Sequence, residues 1–117
     1  MATIFDPSSL EVTPEQTQAA LADDKAQLVD VREDYEWEAG RIDGALHIEL
    51  NDLAANAGKI DTDRPVVFAC RVGGRSAMAA QAFRGVGIDA YSMAGGLVRW
   101  SDEDRPLVPE GGHVANH

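Results

Sequence analysis

Apolar residues fall into two alternating rhythms along the chain. Ala26-Gln27-Leu28-Val29-Asp30-Val31 is a short apolar run ending in charge, the pattern of a buried strand. Ala45-Leu46-His47-Ile48 and Asp89-Ala90-Tyr91-Ser92-Met93 read the same way. Pro65-Val66-Val67-Phe68-Ala69 is the clearest, because a continuous β-branched and aromatic run suits a parallel strand covered on both faces. Helical segments lie between these runs. Thr13-Pro14-Glu15-Gln16 opens one, with Thr13 as N-cap, Pro14 in the first helical position and Gln16 closing a capping box; it runs to about Ala22. Asp34 to Ala39 is a short helix stopped by Gly40. Asn51 can cap a helix carrying Leu53, Ala54 and Ala57, with Gly58 past its end. Arg75 to Val86 places Ala79, Ala82, Phe83 and Val86 on one helical face. Leu97 to Asp102 is a last short helix, and Pro106, Pro109 and Gly111-Gly112 mark an irregular tail. Strands alternating with helices predict an α/β layer structure around a mostly parallel sheet.

Composition narrows the function classes. At 117 residues the chain is one domain, 1–117, with no repeat or linker to divide it. No run of about 18 apolar residues exists, so no transmembrane helix is expected. Met1-Ala2-Thr3-Ile4-Phe5-Asp6 lacks the basic and apolar regions of a signal peptide, which makes the cytoplasm the expected location. Twenty acidic residues against ten basic ones give a net charge of −10. That balance argues against nucleic acid and against an anionic membrane as partners. An anionic small molecule would need a local cluster of arginines. With a single cysteine, an intrachain disulfide and a Cys-rich zinc site are both excluded.

That cysteine, Cys70, stands where the strongest strand ends. Arg71-Val72-Gly73-Gly74-Arg75-Ser76 follows, and then a helix. Ligands of open α/β sheets bind at the carboxyl ends of strands. Adjacent glycines let the backbone curl so that successive N–H groups face inward as an anion cradle, and the helix N-terminus adds its positive end. Arg71 and Arg75 flank the cradle. All of these favour thiolate over thiol at Cys70, and the thiolate is the nucleophile. Arginine at a helix start runs against the dipole, so two of them there point to an anion that neutralises them. A buried structural cysteine followed by a plain turn is the simpler reading; strand, loop and arginines together favour a reactive site.

Three segments together resemble a known family. Leu28-Val29-Asp30-Val31-Arg32-Glu33 with Glu36-Trp37, then Gly40-Arg41-Ile42-Asp43-Gly44-Ala45 and His47-Ile48, is similar to the first signature of single-domain rhodaneses. Cys70 to Ser76 is similar to their active-site loop, and Met93-Ala94-Gly95-Gly96-Leu97 with Trp100 to their terminal signature. The resemblance spans roughly Ser9 to Val108, which leaves 109–117 as a loose tail. It implies a rhodanese-like three-layer fold, with a central mostly parallel five-stranded sheet flanked by helices. It also implies sulfurtransferase chemistry: Cys70 holds a persulfide, and Arg71, Val72, Gly73, Gly74, Arg75 and Ser76 form the substrate-binding loop. The implied partners are a small sulfur donor such as thiosulfate and a cyanide or thiol acceptor, with no metal or other cofactor. The family often has His where Arg41 stands and Pro where Glu49 stands. Well-known thiosulfate-using members carry lysine where this chain has Val72.

Two other readings compete. Related Cys-dependent phosphatases and arsenate reductases place five residues between cysteine and arginine. Cys70 and Arg75 enclose four, a smaller ring that suits sulfur better than a phosphoryl centre. A non-enzymatic sulfur-carrier or sensing module is the third possibility. Elsewhere, Asp30 is expected to hold backbone or Arg32, and His47 to be a satisfied, partly buried histidine. Trp37 and Trp100 pack the core or wall the pocket. His113 and His117 have the spacing of a metal pair without a third ligand.

Overall fold

Strand β4 (Val66–Ala69) occupies the middle of the sheet, and its apolar run shows why: all four residues are buried. A computed structural model describes residues 4–117; Met1–Thr3, the start of the segment read above for export signals, lie outside the described residues. Around β4 stand β1 (Glu11–Val12), β2 (Gln27–Asp30), β3 (Leu46–His47) and β5 (Ala90–Met93) in the order β1-β5-β4-β2-β3. Every pairing is parallel, with Asp30 opposite Ala69 and Phe68 opposite Ser92. The helices are α1 (Pro14–Ala22), α2 (Asp34–Ala39), α3 (Gly74–Gly85) and α4 (Gly96–Asp102). The capping box of α1 forms as its sequence predicts: Gln16 N–H donates to Thr13 Oγ1 at 3.0 Å and Thr13 N–H to Gln16 Oε1 at 2.9 Å.

Alternation along the strands divides the core into two layers. Val67, Ala69, Tyr91 and Met93 face Ala20 of α1 and Leu97 and Trp100 of α4. Val66, Phe68 and Cys70 face Ala79, Ala80 and Phe83 of α3. The sheet thus delivers Cys70 onto the α3 side.

Four features go beyond or differ from the sequence reading. β1 is a two-residue strand that no local pattern predicts; its register with Ser92 and Met93 of β5 creates it. The stretch after Asn51 is not an α-helix but two 3-10 turns, Leu50–Asp52 and Ala57–Lys59. Its Asn56 side chain donates to the Asp52 carbonyl at 2.9 Å, one of the local bonds that compete with helix formation. α3 buries Ser76, Ala79, Ala80 and Phe83, whereas Ala82 is exposed and Val86 is 76% exposed. Burial of Ser76 at the helix start sets this phase, since i, i+3, i+4 and i+7 share a face.

The fourth concerns 109–117, expected to be a loose tail, which makes hydrogen bonds to the rest of the domain. Arg41 and Val108 exchange backbone hydrogen bonds at 2.9 and 2.8 Å, and His113 N–H donates to the Ala39 carbonyl at 2.9 Å. Gly40 permits this approach, because a Cβ there would lie 2.5 Å from the His113 backbone N and O. Proline and glycine make the tail irregular; backbone hydrogen bonds, which composition does not reveal, fix it in place. No helix among the described residues is long and apolar enough to cross a membrane.

Candidate active site

The chain leaves β4 at Ala69, and Cys70 follows with 1% of its surface exposed. Gly73, at φ 114, is the N-cap of α3 and turns the first amides of the helix back toward the strand. A positive φ of this kind suits glycine. Gly73 N–H lies 3.1 Å from Cys70 Sγ and Ser76 N–H 3.4 Å from it. The Ser76 hydroxyl is also 3.4 Å from the sulfur, 3.1 Å from the Gly73 carbonyl and 2.7 Å from Ser92 Oγ. Gly74 is the first helical residue, and open space surrounds the position of its absent Cβ. Only the first of the two glycines is therefore required by conformation.

A second junction supports the first. Gly96 and the start of α4 press against the loop from the β5 side. Leu97 N–H donates to the Cys70 carbonyl at 2.9 Å and Val98 N–H to the Arg71 carbonyl at 3.0 Å.

The two arginines have different surroundings. Arg75 grips Glu36 of α2 with two hydrogen bonds, at 2.7 and 3.0 Å, and Glu36 is 0% exposed. The anion that the placement of Arg75 called for is thus supplied from within the protein. Glu36 raises the Arg75 pKa above its ordinary value, chiefly through those hydrogen bonds. Burial opposes charge on Glu36, yet Arg75 and the Glu33 N–H outweigh it and leave its carboxyl below the ordinary range. Arg71 is freer. Its Nε is buried without a hydrogen-bond partner, and its Nη2 makes only a long contact, 3.5 Å, with Asn116 Oδ1 of the docked tail. Val72 is 57% exposed beside them. Of the loop residues named from the sequence, Gly73 and Ser76 contact the sulfur and Arg75 lends it charge, while Glu36, Ser92 and Asn116 join the loop unannounced. Glu36 alone carried a local signal, as the polar residue three positions into α2 that closes its capping box.

The remaining candidates settle into supporting places. Asp30 accepts from the Arg32 backbone N–H at 3.1 Å and from Arg32 Nη2 at 2.7 Å, the structural role expected of it. His47 Nε2 meets the Arg32 carbonyl oxygen at 2.8 Å, and the Trp37 ring stacks on His47 at 4.6 Å. Trp100 is a core residue whose Nε1 donates to the Pro106 carbonyl at 2.8 Å. His113 and His117 are not brought together in a three-ligand cluster among the described residues. His117 instead joins Glu33 and Glu36, with ligating atoms within 4.8 Å of one another. Both Glu36 oxygens are taken by Arg75, and His117 Nε2 lies 3.0 Å from Glu33, so the cluster is accounted for by its own hydrogen bonds. Next to it a cleft of about 220 Å³ is lined by Val31, Glu33, Glu49, Arg75 and His117.

Comparison with known proteins points to one family. The Rhodanese-like domain family matches residues 13–103. YqhL of Bacillus subtilis is 44% identical over 77 residues, covering 65% of this chain and 61% of that protein. The thiosulfate sulfurtransferase GlpE of Pseudomonas savastanoi pv. phaseolicola is 37% identical over 90 residues, covering 76% of this chain and 84% of that protein. In fold, the crystal structure of a rhodanese-related protein from Thermoplasma volcanium superposes with a TM-score of 0.78 at 23% identity, over 84% of this chain and 96% of that one. A family match over residues 13–103, most of the chain, means that this chain belongs to the rhodanese-like domain family.

Proposed function

We propose that Cys70 carries sulfane sulfur from thiosulfate, or a donor like it, to a thiophilic acceptor. Relatives that are sulfurtransferases support the general role. The observation that carries the reading is the setting of the sulfur, with two backbone N–H groups at the start of α3 directed at Cys70 Sγ. Donors so placed stabilise the thiolate, the form that attacks. In the first half-reaction the thiolate attacks the outer sulfur of thiosulfate. The Sγ–S bond forms, the S–S bond of the donor breaks, and its electron pair departs with sulfite. In the second, cyanide or a thiolate attacks the terminal sulfur, the Sγ–S bond breaks, and Cys70 recovers its thiolate. Two half-reactions of this kind give ping-pong kinetics. Neither step calls for a metal or an organic cofactor.

An anionic donor is supported by Arg71. Its buried Nε has no hydrogen-bond partner and is a donor that an anion's oxygen would satisfy. Arg75, held by Glu36, serves instead to lock α2 against the loop and to lend positive potential to the sulfur.

Mass spectrometry tests the reading. Wild-type protein mixed with thiosulfate and no acceptor gains the mass of one sulfur atom, and cyanide or dithiothreitol removes it. Cys70→Ser gains nothing, since its hydroxyl stays protonated where no base adjoins it. A wild-type mass that never shifts with any sulfur donor, while the thiol alkylates normally, overturns sulfur transfer. Hydrolysis of p-nitrophenyl phosphate by the same protein would then favour the phosphatase reading.

A further inference from the structure

We infer that Ser92, on β5, is a positioning residue for the reactive sulfur. Its hydroxyl holds the Ser76 hydroxyl so that the Ser76 proton can turn from the Gly73 carbonyl to the Cys70 thiolate. The inference rests on Cys70 being the reactive group, and it concerns a residue outside the sulfur loop.

Ser92 is 0% exposed, in a strand whose other residues, Ala90, Tyr91 and Met93, are buried as well. Its backbone is fixed by pairing with Phe68 of β4 and by its N–H to the Leu10 carbonyl at 2.9 Å. A buried hydroxyl needs a partner. The Ser92 hydroxyl has one among the described residues, Ser76 Oγ at 2.7 Å.

Counting protons shows what the pair can do. Cys70, Ser76 and Ser92 hold three between them when the sulfur is a thiol. The S–H points to Ser76 Oγ, the Ser76 hydroxyl donates to the Gly73 carbonyl, and the Ser92 hydroxyl donates to Ser76 Oγ. Both Ser76 lone pairs are then in use. When the sulfur loses its proton, one lone pair is freed and the Ser76 O–H can swing onto the anion. The Gly73 carbonyl is not stranded by this, because Ala77 N–H also donates to it, at 3.0 Å. Ser92 keeps donating to Ser76 in both states. A hydroxyl that accepts a hydrogen bond is polarised into a better donor. The thiolate thereby gains a third donor beside the N–H groups of Gly73 and Ser76, and Ser92 holds that donor in place.

The test is alkylation of Cys70 by iodoacetamide, which needs neither sulfur donor nor acceptor. Rates are measured at about pH 6.5 and about pH 10, either side of the ordinary free-thiol value near 8.5. The surrounding charges stay the same in every variant: Arg71, Arg75 with Glu36, and the Asp30–Arg32 pair at the end of β2. Ser92→Ala is expected to react roughly 3- to 10-fold more slowly at the lower pH and like wild type at the higher one. In a Ser76→Ala background the same substitution is expected to change nothing further, because Ser92 acts only through Ser76. Equal rates at both pH values overturn the inference. Equal slowing at both also does, since that reports lost access rather than lost thiolate. A full additional loss in the Ser76→Ala background removes Ser76 as the intermediary and overturns it as well. The mass-shift experiment is separate: it can fail in wild type while the alkylation ratio still reports on Ser92.

Discussion

Two strand-to-helix junctions lie side by side at the carboxyl edge of the sheet, one after β4 and one after β5. Both pass through a glycine pair, Gly73-Gly74 and Gly95-Gly96, and both use the first glycine as N-cap at positive φ, 114 and 73. Their opening amides nevertheless meet different partners. After β4 they meet the sulfur of Cys70; after β5 they meet the carbonyl oxygens of Cys70 and Arg71. A helix start is a general receptor for lone pairs, and the neighbouring strand decides which lone pair arrives. One junction holds the cysteine sulfur, while the other holds the backbone that carries it. The second glycines differ to match. A Cβ on Gly74 would enter open space. One on Gly96, at φ 59, would lie 2.5 Å from the Cys70 carbonyl oxygen and closer still to that of Arg71.

Gly96→Ala breaks the comparison most severely. It combines backbone strain with a clash against two fixed carbonyls, an expected loss on the order of 4 kcal/mol in a urea melt. Sulfur transfer should fall with it, because Gly96 packs on the backbone that carries Cys70. Next in size is Arg75→Met, which leaves the Glu36 charge buried and unpaired, at a cost of about 3 kcal/mol near pH 7. The pH dependence has a definite sign. Arg75 helps hold the Glu36 carboxyl below its ordinary value of 4.5, so the stability this contributes is complete above that value and is lost as pH falls through the folded one. The gap between wild type and Arg75→Met in urea melts should therefore narrow below pH 4.5.

Arg71→Ala sharpens the contrast between the two arginines. It should lower kcat/KM for thiosulfate by about 10- to 100-fold, the value of one charge-assisted contact, and leave the melt unchanged. The smallest effect belongs to Gly74→Ala. Alanine fits the open first turn and restricts the unfolded chain, so stability should rise by roughly 0.5 kcal/mol with activity retained. A large loss at Gly74, or none at Gly96, would erase the distinction between the junctions.

The sequence made much of this legible where a signal was local. The apolar run at Val66–Ala69, the capping box at Thr13 and the Cys70-to-Ser76 loop each carry their physics within a few residues, and each stands where expected. Features that depend on distant partners were not legible. Glu36 meets Arg75 across 39 positions, and Ser92 meets Ser76 across 16. β1 exists only through β5. The phase of α3 was misplaced because Ala82 and Val86 are apolar, whereas the buried face is fixed by a serine whose hydroxyl belongs to the site. The 3-10 turns near Asn56 replaced an expected helix because side-chain bonding there competes with the helical pattern.

The docked tail bears on how this protein can be handled. His117 rests against Glu33 on the rim of the cleft that also contains Arg75, and Asn116 reaches Arg71. A substitution at Asn116 or His117 therefore acts on the surroundings of Arg71 and Glu33, although both positions lie far from them in sequence. Preparations that differ at these two positions differ in the surroundings of Arg71 and of the cleft beside Arg75.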